Sequence, residues 1–125
     1  MTVVGTDIVK NERFVRWLRF SDAQLARVFH LQEIAQFRAF LAKDKNRATE
    51  FLASRFAVKE AFFKAYSQAL QTIRLQQLLP KPFLFLAPRV CVLSHQGLPE
   101  LLLDIPFEFP VSCQVSLAHE VCCSV

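Results

Sequence analysis

From Ala48 to Leu70 the chain carries neither proline nor glycine, and the stretch is rich in Ala, Phe, Leu, Lys and Glu. Proline removes a backbone donor and glycine adds chain entropy, so their absence over this length predicts one long helix. Phe56 and Phe63 stand seven apart and share a face with Leu52, which gives that helix an apolar side to bury. After Leu79 the character changes, because Pro80, Pro82, Pro88, Pro99, Pro106 and Pro110 all lie there. They punctuate short apolar runs, PFLFL, RVCVLS, LPELLL and VSCQVSL, which read as strands. Upstream, Thr2–Val4 reads as a short strand that Gly5 ends or bends. Three further helices are expected: Glu12–Phe20, a segment capped at Ser21 and Asp22 and running to about Phe29, and roughly Gln32–Ala42. KDKN (Lys43–Asn46) reads as a polar break. One strand, then helices, then strands is an α+β order. The expected fold is a single domain over residues 1–125, an antiparallel sheet with a long packed helix.

A chain of 125 residues suits one compact domain. Its hydrophobic fraction of 53% and 13 phenylalanines exclude a disordered chain. So much apolar surface predicts a partner subunit to cover part of it. The net charge of +4 suits an acidic partner or a phosphate-rich ligand without requiring one. Cys91, Cys113, Cys122 and Cys123 form no C-x-x-C pair, so they read as free thiols in a reducing compartment rather than a zinc site or a disulfide framework. The N-terminal apolar run is too short for a secretion signal and is interrupted by Asp7. No run approaches a membrane span. A soluble cytoplasmic protein is expected.

Several residues could do chemistry. Asp7 follows a predicted strand and a glycine, where a carboxylate can ligate a hard cation or simply cap a turn. Glu60 and Lys64 stand four apart on the long helix and must meet on one face. They could hold a metal beside a phosphate, or form an ordinary solvated ion pair. Arg55 and Lys59 add two cations to the same helix. Residues 55, 59, 60 and 64 read as one stripe whose surplus positive charge suits a polyanion; the plain alternative is a basic surface. His119 lies in VSLAHE after a strand-like run, where a lone histidine is often only structural. His30 and His95 have no recognisable context. Arg13, Arg16 and Arg19 fall three apart, opposite Phe14, Trp17 and Leu18; with Arg27 they form a candidate docking surface. No Gly-rich RNA-binding signature, finger spacing or helix-turn-helix pattern points to nucleic acid.

Taken together, GTDIV (Gly5–Val9) with Glu12-Arg13, the helix FLASRFAVKEAFFKA, Gly97-Leu98-Pro99 and VSLAHE resemble the holo-acyl-carrier-protein synthases, small phosphopantetheinyl transferases. The helix is close to that family's F-x-A-x-R-F-A-x-K-E-A-x-x-K-A signature, and the four pieces occur in the family's order. The resemblance implies the phosphopantetheinyl transferase fold and transfer of the 4′-phosphopantetheine arm of coenzyme A to a serine of acyl carrier protein, in fatty acid biosynthesis. It implies Asp7 and Glu60 as Mg2+ ligands, Lys64 on the phosphate, and Arg55, Lys59 and His119 near the nucleotide. Glu60 or a metal-bound water would accept the serine proton. The acidic carrier protein would dock on Arg13 and Arg16, and the assembly would be a homotrimer with sites at its interfaces.

The chain departs from the family at three places. Tyr66-Ser67-Gln68-Ala69-Leu70 stands where a Gly-Thr-Gly-like turn is usual. The stretch from Tyr66 to Gln96 is longer than usual, with an inserted loop expected around Pro80–Pro88. Leu101–Ser112 is shorter, and Pro106 and Pro110 leave its late helix short or absent. The alternative function is a catalytically impaired module of the same fold that binds acyl carrier protein without turning over.

Overall fold

The computed structural model describes residues 2–6, 11–72, 82–95, 98–104, 112–115 and 120–124. For β1, β4, β5, residues 70–72 and the facing ends of β2 and β3, only the backbone is described.

The long helix dominates, as its composition requires. α3 runs Lys45–Thr72, longer at both ends than expected. Asp44 caps it: the Asn46 and Arg47 amides donate to its carboxylate at 3.0 and 3.4 Å. The polar KDKN segment therefore holds the helix start rather than a break clear of it. At the other end nothing in Tyr66–Leu70 supplies a left-handed residue, and the helix continues through that segment to Thr72.

Before α3 come β1 (Thr2–Thr6), a 3-10 helix (Asn11–Arg19), α1 (Asp22–Leu25) and α2 (Leu31–Leu41). Gly5 lies inside β1 rather than ending it. Three residues per turn put Arg13, Arg16 and Arg19 in one row, and all three are exposed while Phe14 is fully buried. α1 starts on a reciprocal cap. Gln24 N donates to Ser21 Oγ at 3.2 Å, and Ser21 N donates to Gln24 Oε1 at 2.9 Å. α2 repeats the device with His30, whose Nδ1 accepts from Gln32 N at 3.2 Å. His30 thus has the context that its sequence neighbours did not reveal.

After α3 the run PFLFL is helical, not a strand: Pro82 precedes α4 (Phe83–Leu86), and a 3-10 turn (Ala87–Arg89) follows. Proline's fixed φ suits a helix start, and so short an apolar run carries no period that separates helix from strand. The other expected strands form as β2 (Val90–His95), β3 (Leu98–Leu103) and β4 (Ser112–Val115). β5 (Glu120–Ser124) was not expected. It is the middle strand of an antiparallel sheet ordered β1-β5-β4, while β2 and β3 form a separate antiparallel pair.

α3 joins two cores. Its first half, through Ala48, Leu52 and Phe56, packs on Phe14, Leu25, Phe29 and Phe37 from the helical layer. Its second half, through Val58, Ala61, Phe62 and Ala65, packs on Leu86, Val90 and Val92. Phe56 and Phe63 both meet Phe83, at ring separations of 5.5 and 5.8 Å, so the face they were expected to share is the face that packs on α4. Burying one such phenylalanine removes enough apolar surface to stabilise the fold by about 1.5–3 kcal/mol. β1 and β5 also lie against α3.

Candidate active site

An α-helix advances about 100° per residue. Arg55 and Lys59 are therefore about 40° apart, and so are Glu60 and Lys64. The single step from Lys59 to Glu60 turns the helix by about 100°, which leaves Arg55 and Lys64 on opposite sides. The expected stripe 55-59-60-64 is thus two faces. Glu60 is half-buried and Lys64 exposed, whereas Lys59 is 1% exposed.

Lys59 faces the core, and its charge is met there. The ammonium lies 2.6 Å from Glu33 Oε1, and both side chains are wholly buried. It also donates to the carbonyls of Ala87, at 2.6 Å, and Val90. An ammonium has three protons to donate, and these three acceptors use them. Lys59 is therefore not one of the surplus cations expected to face a nucleotide. Burial pulls its ammonium below the usual lysine range, and Glu33 opposes that shift. The Glu33 carboxylate accepts in addition from His30 N at 3.0 Å and from Val92 N at 3.2 Å. Cys91, beside this pair, has its thiol pushed up to about 11, first by burial and then by the negative charge of Glu33.

Arg55 sits half-buried on the α2 side of α3. Its guanidinium lies 4.6 Å from the centre of the Phe51 ring. Burial lowers its pKa from the ordinary arginine value, with Glu33 again opposing. A groove of about 220 Å³ opens there, lined by Gln36, Ala39, Phe40, Phe51 and Arg55. Arg55 Nε and Gln36 Oε1 are buried at this place with no hydrogen-bond partner among the described residues.

Asp7 and His119 lie outside the described residues. Their described neighbours in sequence, Thr6 and Glu120, are register partners in the β1–β5 pair. Among the described residues no group of three His, Cys, Asp or Glu side chains is placed to hold a metal ion. The donors that the sequence offers, Glu60 and Asp7, are carboxylates, which match a hard cation such as Mg2+. Arg13 is exposed, with its guanidinium 5.0 Å from the centre of the Phe56 ring; Arg16 stands exposed in the same row. No described helix is long and apolar enough to cross a membrane.

Comparison with known proteins agrees with this architecture. Residues 3–121 match the sequence model of a family described as the 4'-phosphopantetheinyl transferase superfamily. A holo-[acyl-carrier-protein] synthase of Herminiimonas arsenicoxydans is 34% identical over 122 residues, covering 94% of this chain and 88% of that protein. The synthase of Treponema pallidum is 45% identical over 75 residues, covering 60% of this chain and 55% of its own. The match thus spans only about half the length of that relative. Among solved structures, an apo-ACPS structure of Chronobacterium ammoniagenes superposes with a TM-score of 0.64 at 26% identity, covering 98% of this chain and 94% of the other. An ACPS–CoA complex from the same source superposes at 0.58 with 24% identity, covering 98% and 93%, and shares the fold.

Proposed function

The chain belongs to the 4′-phosphopantetheinyl transferase superfamily, and from that premise we propose that it transfers the 4′-phosphopantetheine arm of coenzyme A to a serine of apo-acyl carrier protein. The observation that carries this reading is the division of α3. Its signature keeps Glu60 and Lys64 together outside the core, while Lys59 is held inside it.

Glu60, with Asp7, would hold Mg2+. A bound Mg2+ supplies positive charge against the pyrophosphate of coenzyme A. Lys64 then contacts the phosphate that is attacked and stabilises the charge that builds on its oxygens. Glu60 is also a candidate to accept the serine proton. Arg55 and His119 serve the nucleotide end. The geometry separates Arg55 from Lys64 around one helix, so the two reach different parts of a ligand, or a second subunit brings them together. A homotrimer with sites between subunits supplies that second surface. The row of Arg13 and Arg16 attracts the acidic carrier protein, an attraction that salt weakens. A cytoplasmic role in fatty acid biosynthesis completes the reading.

The test is to mix the protein with apo-acyl carrier protein, coenzyme A and Mg2+ and to weigh the carrier by mass spectrometry. Gain of the phosphopantetheine mass is expected, and Glu60→Gln abolishes it while the protein stays folded. Folded protein that transfers nothing overturns the reading; if it still binds the carrier, the impaired binding module takes its place.

A further inference from the structure

Both side chains of the Glu33–Lys59 pair are 0% exposed, and nothing in the proposed transfer uses either charge. Stability alone does not explain them. Buried ion pairs lose much of their attraction to desolvation, and packed apolar residues often replace them without loss. Direction is what the pair adds. Its bonds reach Ala87 and Val90 through Lys59, and His30 and Val92 through Glu33. They therefore tie α3 to α2, to the 3-10 turn after α4 and to β2. The apolar contacts around them, from Val58, Ala61 and Phe62, are non-directional and permit a helix to roll.

We propose that Glu33 is a positioning residue: through Lys59 it fixes the rotation of α3 about its axis, and so the direction in which the adjacent Glu60, and Lys64 a turn later, face the substrate. The inference rests on the functional reading above. The lever is short. A roll of about 10° moves a group about 6 Å from the helix axis by about 1 Å, and a displacement of that size can lower a rate about 100-fold. The pair sits one residue before Glu60, where little can flex between them.

Two variants test this. Glu33→Asp keeps the charge and shortens the arm by one methylene. E33M/K59M removes both charges and keeps the volume nearly constant. For each, turnover and the KM for coenzyme A are measured beside thermal melting. Backbone residual dipolar couplings of α3 are recorded against those of β2 and β3. The expected result is a folded protein whose α3 is rolled, with kcat lowered about 100-fold and the KM for coenzyme A nearly unchanged. The inference is overturned if α3 stays in place, or if α3 rolls and kcat holds. It is also overturned if the loss merely follows the fraction unfolded. Should the parent protein transfer nothing to any carrier, the functional reading falls by itself. The dipolar couplings still decide whether the pair sets the roll of the helix.

Discussion

Among the described residues two ion pairs hold α2, and they differ in almost everything but chemistry. Arg38 meets Asp22 at 2.8 Å at the surface, with side chains 36% and 73% exposed. Glu33 meets Lys59 at 2.6 Å with both side chains sealed. In water the first pair loses little when one partner is removed, since solvent replaces it. Inside the core no solvent is at hand, and the survivor is left as a buried charge. The comparison teaches that a separation does not measure a pair; its surroundings do.

The largest effect should come from cutting the inner pair on one side. Lys59→Ala leaves Glu33 uncompensated and the Ala87 and Val90 carbonyls without their donor. Urea unfolding should show a loss of about 3–5 kcal/mol, with E33M/K59M recovering much of it. A loss below about 1 kcal/mol would mean that water reaches the site.

Cys91 reports on the same charge. Its folded pKa, about 11, lies above the ordinary 9.0. Below about pH 9 the thiol keeps its proton in both states, and its full contribution to stability is present. Between about 9 and 11 the unfolded chain releases the proton first, so stability falls as pH rises. Melting curves should slope down more steeply in the parent than in Cys91→Ala and Glu33→Gln, since Lys59, whose ammonium is held below its usual range, pulls the other way in all three. Equal slopes in all three would detach the thiol from the pair.

Next comes the cap at Ser21. Ser21→Ala removes one acceptor from the start of α1, and denaturation should register about 1 kcal/mol. Smallest is the outer pair. Exchanging Asp22 for Asn should shift stability by less than about 1 kcal/mol, and added salt should shrink even that. If the outer pair proved as strong as the inner one, the contrast would fail.

The long helix was legible because its signal repeats over many residues without interruption. Ser21 was legible because a cap needs only local chemistry. PFLFL and β5 were not. Four or five apolar residues carry no decisive period, and EVCCS gains its partners only from β1 and β4. On α3, Glu60 and Lys64 lie on one face as their spacing requires, while the single stripe expected for residues 55, 59, 60 and 64 divides into two faces, with Lys59 turned into the core. A signal did exist. Lys59 lies seven residues after Leu52, so the rule that aligned Phe56 with Phe63 also puts Lys59 among the apolar residues. Its partner was invisible, since no spacing rule joins Glu33 to a lysine on another helix.

The pairing of β1 with β5 has a consequence in time. Thr2 faces Ser124 and Thr6 faces Glu120, so this ladder closes a loop almost as long as the chain. The bonds within α3, by contrast, each close over four residues. Loop closure precedes any gain from the contacts it permits, and distant pairings are accordingly slow. α3 and its helical neighbours can thus assemble early, with Glu60 and Lys64 already on their surface. The strands that lead to Asp7 and from His119 join last, and refolding should recover helical signal well before it recovers turnover.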